Sequence, residues 1–140
     1  MTHLPLMEAG TAYFADRLRG ADLTGTSGLP GWTRAHVVAH VACNARAIGR
    51  LAHWARTGVE TPMYASKQAR DAEIEAMAGQ QGLPELAERT ARELSDALGE
   101  LTGPQWQGVE VRGAAAELAA WVTGRAPAPR PDAPRPARWL

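Results

Sequence analysis

The segment Gly31-Trp32-Thr33-Arg34-Ala35-His36-Val37-Val38-Ala39-His40-Val41-Ala42 constrains this chain more than any other. Thr33 is an N-cap residue by type, since its hydroxyl can accept a hydrogen bond from a free N–H of the first helical turn. The helix it starts is the longest in the chain. It is predicted to run to about Arg56, with Gly58 placed to terminate it. An otherwise apolar helix of this length must be covered by other helices, which points to a bundle. Along it, the 3.6-residue period sets His36, His40 and Asn44 in one row, with Cβ atoms roughly 5–6 Å apart. The apolar pattern Val37, Val41, Ala45 and Ile48 is expected to face the bundle interior together with His40, with His36 nearer the end of the same groove. Imidazoles in such a row are what a metal site inside a helix bundle requires.

The rest of the chain supplies the partners. A first helix is predicted from about Pro5 to Leu18, with Met7, Phe14 and Leu18 facing the core, ending before Gly20. Gly25, Gly28, Pro30 and Gly31 make the next stretch a loop. Pro62 interrupts helix between Val59 and Ala65, and Ser66 caps a third helix that turns Ile74 and Met77 inward. Pro84 suits the first turn of a fourth helix, where a missing N–H costs nothing. That helix carries Leu86, Leu94, Leu98 and Leu101 among acids and arginines. Four such segments with short connections spell an all-α fold, an antiparallel four-helix bundle. Trp32, Trp54 and Trp106 are expected as core anchors. After Gly103-Pro104, residues 108–112 could be extended, and Ala114 to Val122 a fifth, short helix. From Ala126 the chain becomes a Pro-rich tail that makes no regular element.

Composition narrows the function. With 15 basic and 15 acidic residues the formal charge is zero, and no basic stripe supports nucleic-acid binding. No apolar run reaches the roughly 18–20 residues of a membrane span. The first residues lack the pattern of a signal peptide. One cysteine, Cys43, excludes an internal disulfide and suits a cytoplasmic setting.

The motif Gly-Trp-Thr-Arg-x-His-x-x-Ala-His-Val-Ala at 31–42 is followed by His53-Trp54-Ala55-Arg56-Thr57-Gly58, Glu60-Thr61-Pro62-Met63-Tyr64 and Ala69-Arg70. Together these resemble the mycothiol-dependent maleylpyruvate isomerases, members of the DinB-like metal-dependent thiol transferase superfamily. The likeness runs from about Leu4 to Trp106. Ala115 to Arg125 resembles a helix of that family's small C-terminal domain, and Pro136 to Leu140 its closing residues. The implied organisation is a DinB-like helical domain at 1–106, a C-terminal-domain remnant at 107–125 and the tail at 126–140. Lys67 is the only lysine, a bias of GC-rich genomes that agrees with the actinobacterial setting of mycothiol.

The resemblance implies three protein ligands to a divalent metal, typically zinc. One is the second histidine of the Gly-Trp-Thr helix, here His40. The others are a glutamate and a histidine of an Arg-Glu-x-x-x-His segment, which this sequence lacks; no histidine follows His53. His36 and Cys43 are the neighbours that could join His40, although a partly exposed first-turn residue and a small core residue are the simpler readings. His53 lies on another face. Arg125 matches an arginine expected to hold a substrate carboxylate through its planar fork. The implied chemistry is addition of the mycothiol thiolate, formed at the cation, to maleylpyruvate, followed by rotation and elimination to fumarylpyruvate. Partners would be a small dicarboxylate and a low-molecular-weight thiol. A related mycothiol S-transferase, or a non-catalytic helical module from an internally deleted gene, are the alternatives. With one matched ligand, impaired isomerase activity is expected.

Overall fold

The computed structural model describes residues 4–106, which fall in two units divided after Leu101. The first holds four helices: α1 (Leu4–Leu18), α2 (Arg34–Thr57), α3 (Lys67–Ala78) and α4 (Leu83–Gly99). They form the expected antiparallel four-helix bundle. The second contributes one described turn of helix, α5 (Gly103–Trp106), in which the Gln105 side chain accepts a bond from the Thr102 N–H at 2.8 Å. No strand occurs among the described residues, only an isolated bridge between Thr26 and Thr33.

Local chemistry sets the helix ends. Thr33 adopts extended φ/ψ (−81°, 171°) and its hydroxyl accepts from the His36 N–H. His36 then reaches back with its ring, and the Thr33 N–H donates to Nδ1 at 3.2 Å. This is a capping box in which histidine replaces the usual Glu or Gln. Gly58 closes α2 at φ 74°, a left-handed value that side chains with a Cβ resist, and its N–H donates to the Trp54 carbonyl at 2.8 Å. Ser66 caps α3 through the Ala69 N–H at 3.0 Å. Pro84 sits in the first turn of α4, as its missing N–H allows. The 19–33 loop folds back on α2: the Arg34 and Ala35 N–H groups donate to the Gly25 and Leu23 carbonyls, both at 2.9 Å.

α2 is the hub, with α4 and α3 packed against it and α1 packed on α4. Val41 and Ala87 line one cavity near the start of α2, and Arg56 meets Glu100 near its end, so α2 and α4 run in the same direction. α3 runs against α2, since His36 at the start of α2 meets Glu75 while Arg50 further along meets the earlier Glu73. The α2 residues in the core are small: Val38, Ala39, Ala42, Cys43, Ala45, Ala47 and Ala52. Small side chains let helix axes approach closely. Around them pack Leu18, Ile74, Met77, Leu83, Leu86 and Ala87, with Phe14 and Trp32 half-buried at the margin. Thr90 is buried too, its hydroxyl satisfied by the Ala87 carbonyl at 3.0 Å.

Two expectations fail. Val41, counted with Val37, Ala45 and Ile48 as interior, is 40% exposed, because the buried sector of α2 is centred on 38, 39, 42 and 43. Trp106 is 41% exposed and anchors no core. The extended piece at 108–112, the helix at 114–122 and the Pro-rich tail lie outside the described residues.

Candidate functional site

His40 lies in the second turn of α2, on the side that faces Trp32 and α3, and is half-buried. The Trp32 indole tilts against its ring at a centroid distance of 5.6 Å, and stacks on His36 at 6.1 Å. Nδ1 of His40 is shut off from solvent with no hydrogen-bond partner. Burial, and then the charge of Arg70, hold the His40 pKa below its ordinary value. The ring is therefore neutral at neutral pH and keeps an unshared electron pair, as a metal ligand needs.

The residues that could join it are committed elsewhere. His36 accepts at Nδ1 from the Thr33 cap, and its Nε2–H donates to Glu75 Oε2 at 3.0 Å. Cys43 is fully buried, with Sγ 3.6 Å from the Met77 sulfur. Burial, reinforced by Glu73, pushes its thiol up to about 11, so no thiolate is offered. His53 is exposed and borders a separate cleft of about 290 Å³ with Arg46, Arg50 and Glu93. Among the described residues no three His, Cys, Asp or Glu side chains gather as a metal site would need. Catalytic zinc usually takes three protein ligands, and the described donor set does not fit it. Arg125 lies outside the described residues.

Further along α2 and α3 the structure gathers a second group of side chains. Arg50 of α2 donates to both oxygens of Glu73 at 3.1 and 3.3 Å and to the Met63 carbonyl. Its guanidinium also lies 5.6 Å above the Tyr64 ring. One side chain thus pins the 58–66 loop between α2 and α3. Tyr64 O–H and Arg70 Nε are, like His40 Nδ1, buried without a hydrogen-bond partner. Burial raises the Tyr64 pKa, and the charge of Arg70 acts against that rise as it acts on His40. Sequence reasoning gave Arg70 no role of its own, and Tyr64 only a place in the Pro62-Met63-Tyr64 loop, which the resemblance sets at the border of the cofactor pocket. The available signal was helical spacing: Arg70 shares a face of α3 with Glu73, Ile74 and Met77, the buried side.

The model of the mycothiol maleylpyruvate isomerase N-terminal domain family matches residues 5–138. A solved structure of the mycothiol-dependent maleylpyruvate isomerase is 39% identical and superposes with a TM-score of 0.72, over 76% of this chain and 46% of that one. A variant of that enzyme with a histidine replaced by alanine gives 38% identity and the same TM-score and coverage. The chain thus spans less than half the length of the enzymes it matches. No curated protein sequence matches it. No helix among the described residues is long and apolar enough to cross a membrane. By the family match and by the fold, the chain belongs to the mycothiol maleylpyruvate isomerase family through its N-terminal domain.

Proposed function

We propose that this chain is a cytoplasmic ligand-binding domain of that family, taking mycothiol and a small dicarboxylate, with little isomerase turnover of its own. The observation that carries this reading is the isolation of His40. It is half-buried, its Nδ1 is shut off from solvent without a partner and burial holds its pKa down, yet no second ligand accompanies it among the described residues. Elsewhere in the sequence no histidine follows His53. The helical domain holds the Trp32 ring against His40 and pins the 58–66 loop between α2 and α3. A domain that binds without turning over is the reading this combination favours. Residues 107–125 are proposed as a remnant of the second domain, with Arg125 as a carboxylate contact.

Equilibrium dialysis against zinc tests the isolation of His40. One imidazole predicts weak uptake, well below one tightly held ion per chain, lost in His40→Ala and kept in His53→Ala. A stoichiometric zinc that survives dialysis would overturn the reading, because it would require ligands that the described residues do not supply.

A further inference from the structure

We propose that the cleft between α2, α4 and the 58–66 loop binds a small hydroxylated phosphate ester, and that the bound ester stiffens the loop. This site is separate from the His40 side. Gly49, in the middle of its α2 wall, follows His40 by about two and a half helical turns and so lies on the opposite side of the helix. Nothing in it depends on the function proposed above.

The cleft encloses about 290 Å³, the scale of a small ligand. Arg46, Arg50 and His53 line it from α2, and their i, i+4, i+7 spacing sets them on one stripe. Arg50 is committed to Glu73 and the Met63 carbonyl. The other two are not: Arg46 and His53 are exposed, and among the described residues neither side chain makes a hydrogen bond or an ion pair. Between these two arms the wall recedes, because a Cβ added at Gly49 would meet nothing within 4 Å. Ala45 and Thr90 beneath are buried, and the Thr90 hydroxyl is engaged by the Ala87 carbonyl, so the floor offers no competing donor.

Two N–H arms on either side of an open recess suit a tetrahedral oxyanion, whose oxygens can be taken from different directions. Arg46 brings a permanent charge and His53 an N–H in either protonation state. On the α4 wall stands Glu93, 60% exposed and paired with Arg89 only at 4.0 Å. A carboxylate is acceptor-only, so it repels a bare anion and takes hydrogen bonds from hydroxyls. The two walls therefore select an ester with its phosphate toward α2 and its hydroxyls toward α4. Thr61 lines the same cleft, and Arg50 holds the loop at Met63, so a seated ligand bridges the loop to the helix.

The test is an NMR titration of the full chain with glycerol 3-phosphate, read at the Gly49 amide and the His53 ring, with inorganic phosphate and maleate in parallel. Both signals should move saturably with the ester. Arg46→Met should weaken binding about tenfold or more, the loss of a charge-assisted contact. His53→Ala should weaken it about three- to tenfold. Gly49→Leu keeps every charge, fills the recess and removes a helix-weakening glycine, so it should abolish binding in a folded chain. Arg92→Met, elsewhere on α4, should leave binding unchanged. Saturating ester should slow proteolysis of the 58–66 loop in the parent and not in Gly49→Leu. Parent affinity in Gly49→Leu, or in both Arg46→Met and His53→Ala, with circular dichroism showing them folded, would overturn the site. Inorganic phosphate or maleate binding as tightly as glycerol 3-phosphate would overturn the assignment to a hydroxylated phosphate ester. Unchanged loop cleavage at saturation would overturn the stiffening.

Discussion

His36 Nε2 stands 3.0 Å from Glu75 Oε2, joining the first turn of α2 to the later part of α3, while Nδ1 of the same ring closes the Thr33 cap. The ring that shares a helical row with His40 is therefore a structural fastening. His36→Ala should cost about 1–2 kcal/mol, mostly through the cap, because Glu75 is largely exposed and water competes for its hydrogen bond. Urea denaturation measures the loss. Zinc uptake should be unchanged in this variant; an unchanged midpoint with lost zinc would reverse the roles given to His36 and His40.

That division shows where sequence reading ended. Thr33, Gly58, Ser66 and Pro84 set helix ends by local chemistry, and each was legible. His36 was legible as a neighbour of His40 but not as a capping-box member, since that motif normally carries Glu or Gln at the position. Val41 was misplaced because periodicity defines a stripe, while the sector of the stripe that is buried depends on where α3 and α4 lie. The charge of Arg70 acts on His40 from α3, and no spacing within a single helix encodes that relation.

Arg50 links three segments, so its removal should be felt beyond the pair with Glu73. Arg50→Met strands a partly buried carboxylate and frees the Met63 carbonyl. The expected loss is about 1–3 kcal/mol, much of it recovered when Glu73→Gln is added. Limited proteolysis should cut the 58–66 loop faster in the single variant. Equal cleavage of parent and variant would show that the loop is held by other contacts.

Cys43 should be inert. With its thiol raised to about 11 by burial and then Glu73, the native chain should resist a thiol reagent at pH 8 and react once unfolded. The same shift has a consequence for stability. The unfolded thiol begins to lose its proton near its ordinary value of 9.0, while the folded one keeps it to about 11. Its contribution is thus complete below about pH 9 and is lost as the pH rises through 11. Cys43→Ala should flatten the fall of the denaturation midpoint in that window. A parent-like slope in the variant would assign the fall to other groups.

The account turns on whether one matched imidazole can support the family's reaction. The measurement is the rate of fumarylpyruvate formation from maleylpyruvate by the purified chain with zinc and mycothiol, beside the isomerase of known structure. Without the glutamate–histidine ligand pair, the thiol should keep a pKa near its free value of about 8.5, leaving little thiolate at neutral pH. The account predicts a rate close to that of mycothiol and zinc without protein. Turnover comparable with the longer enzyme would contradict it, and would mean that this chain completes the site around His40 with groups other than those described.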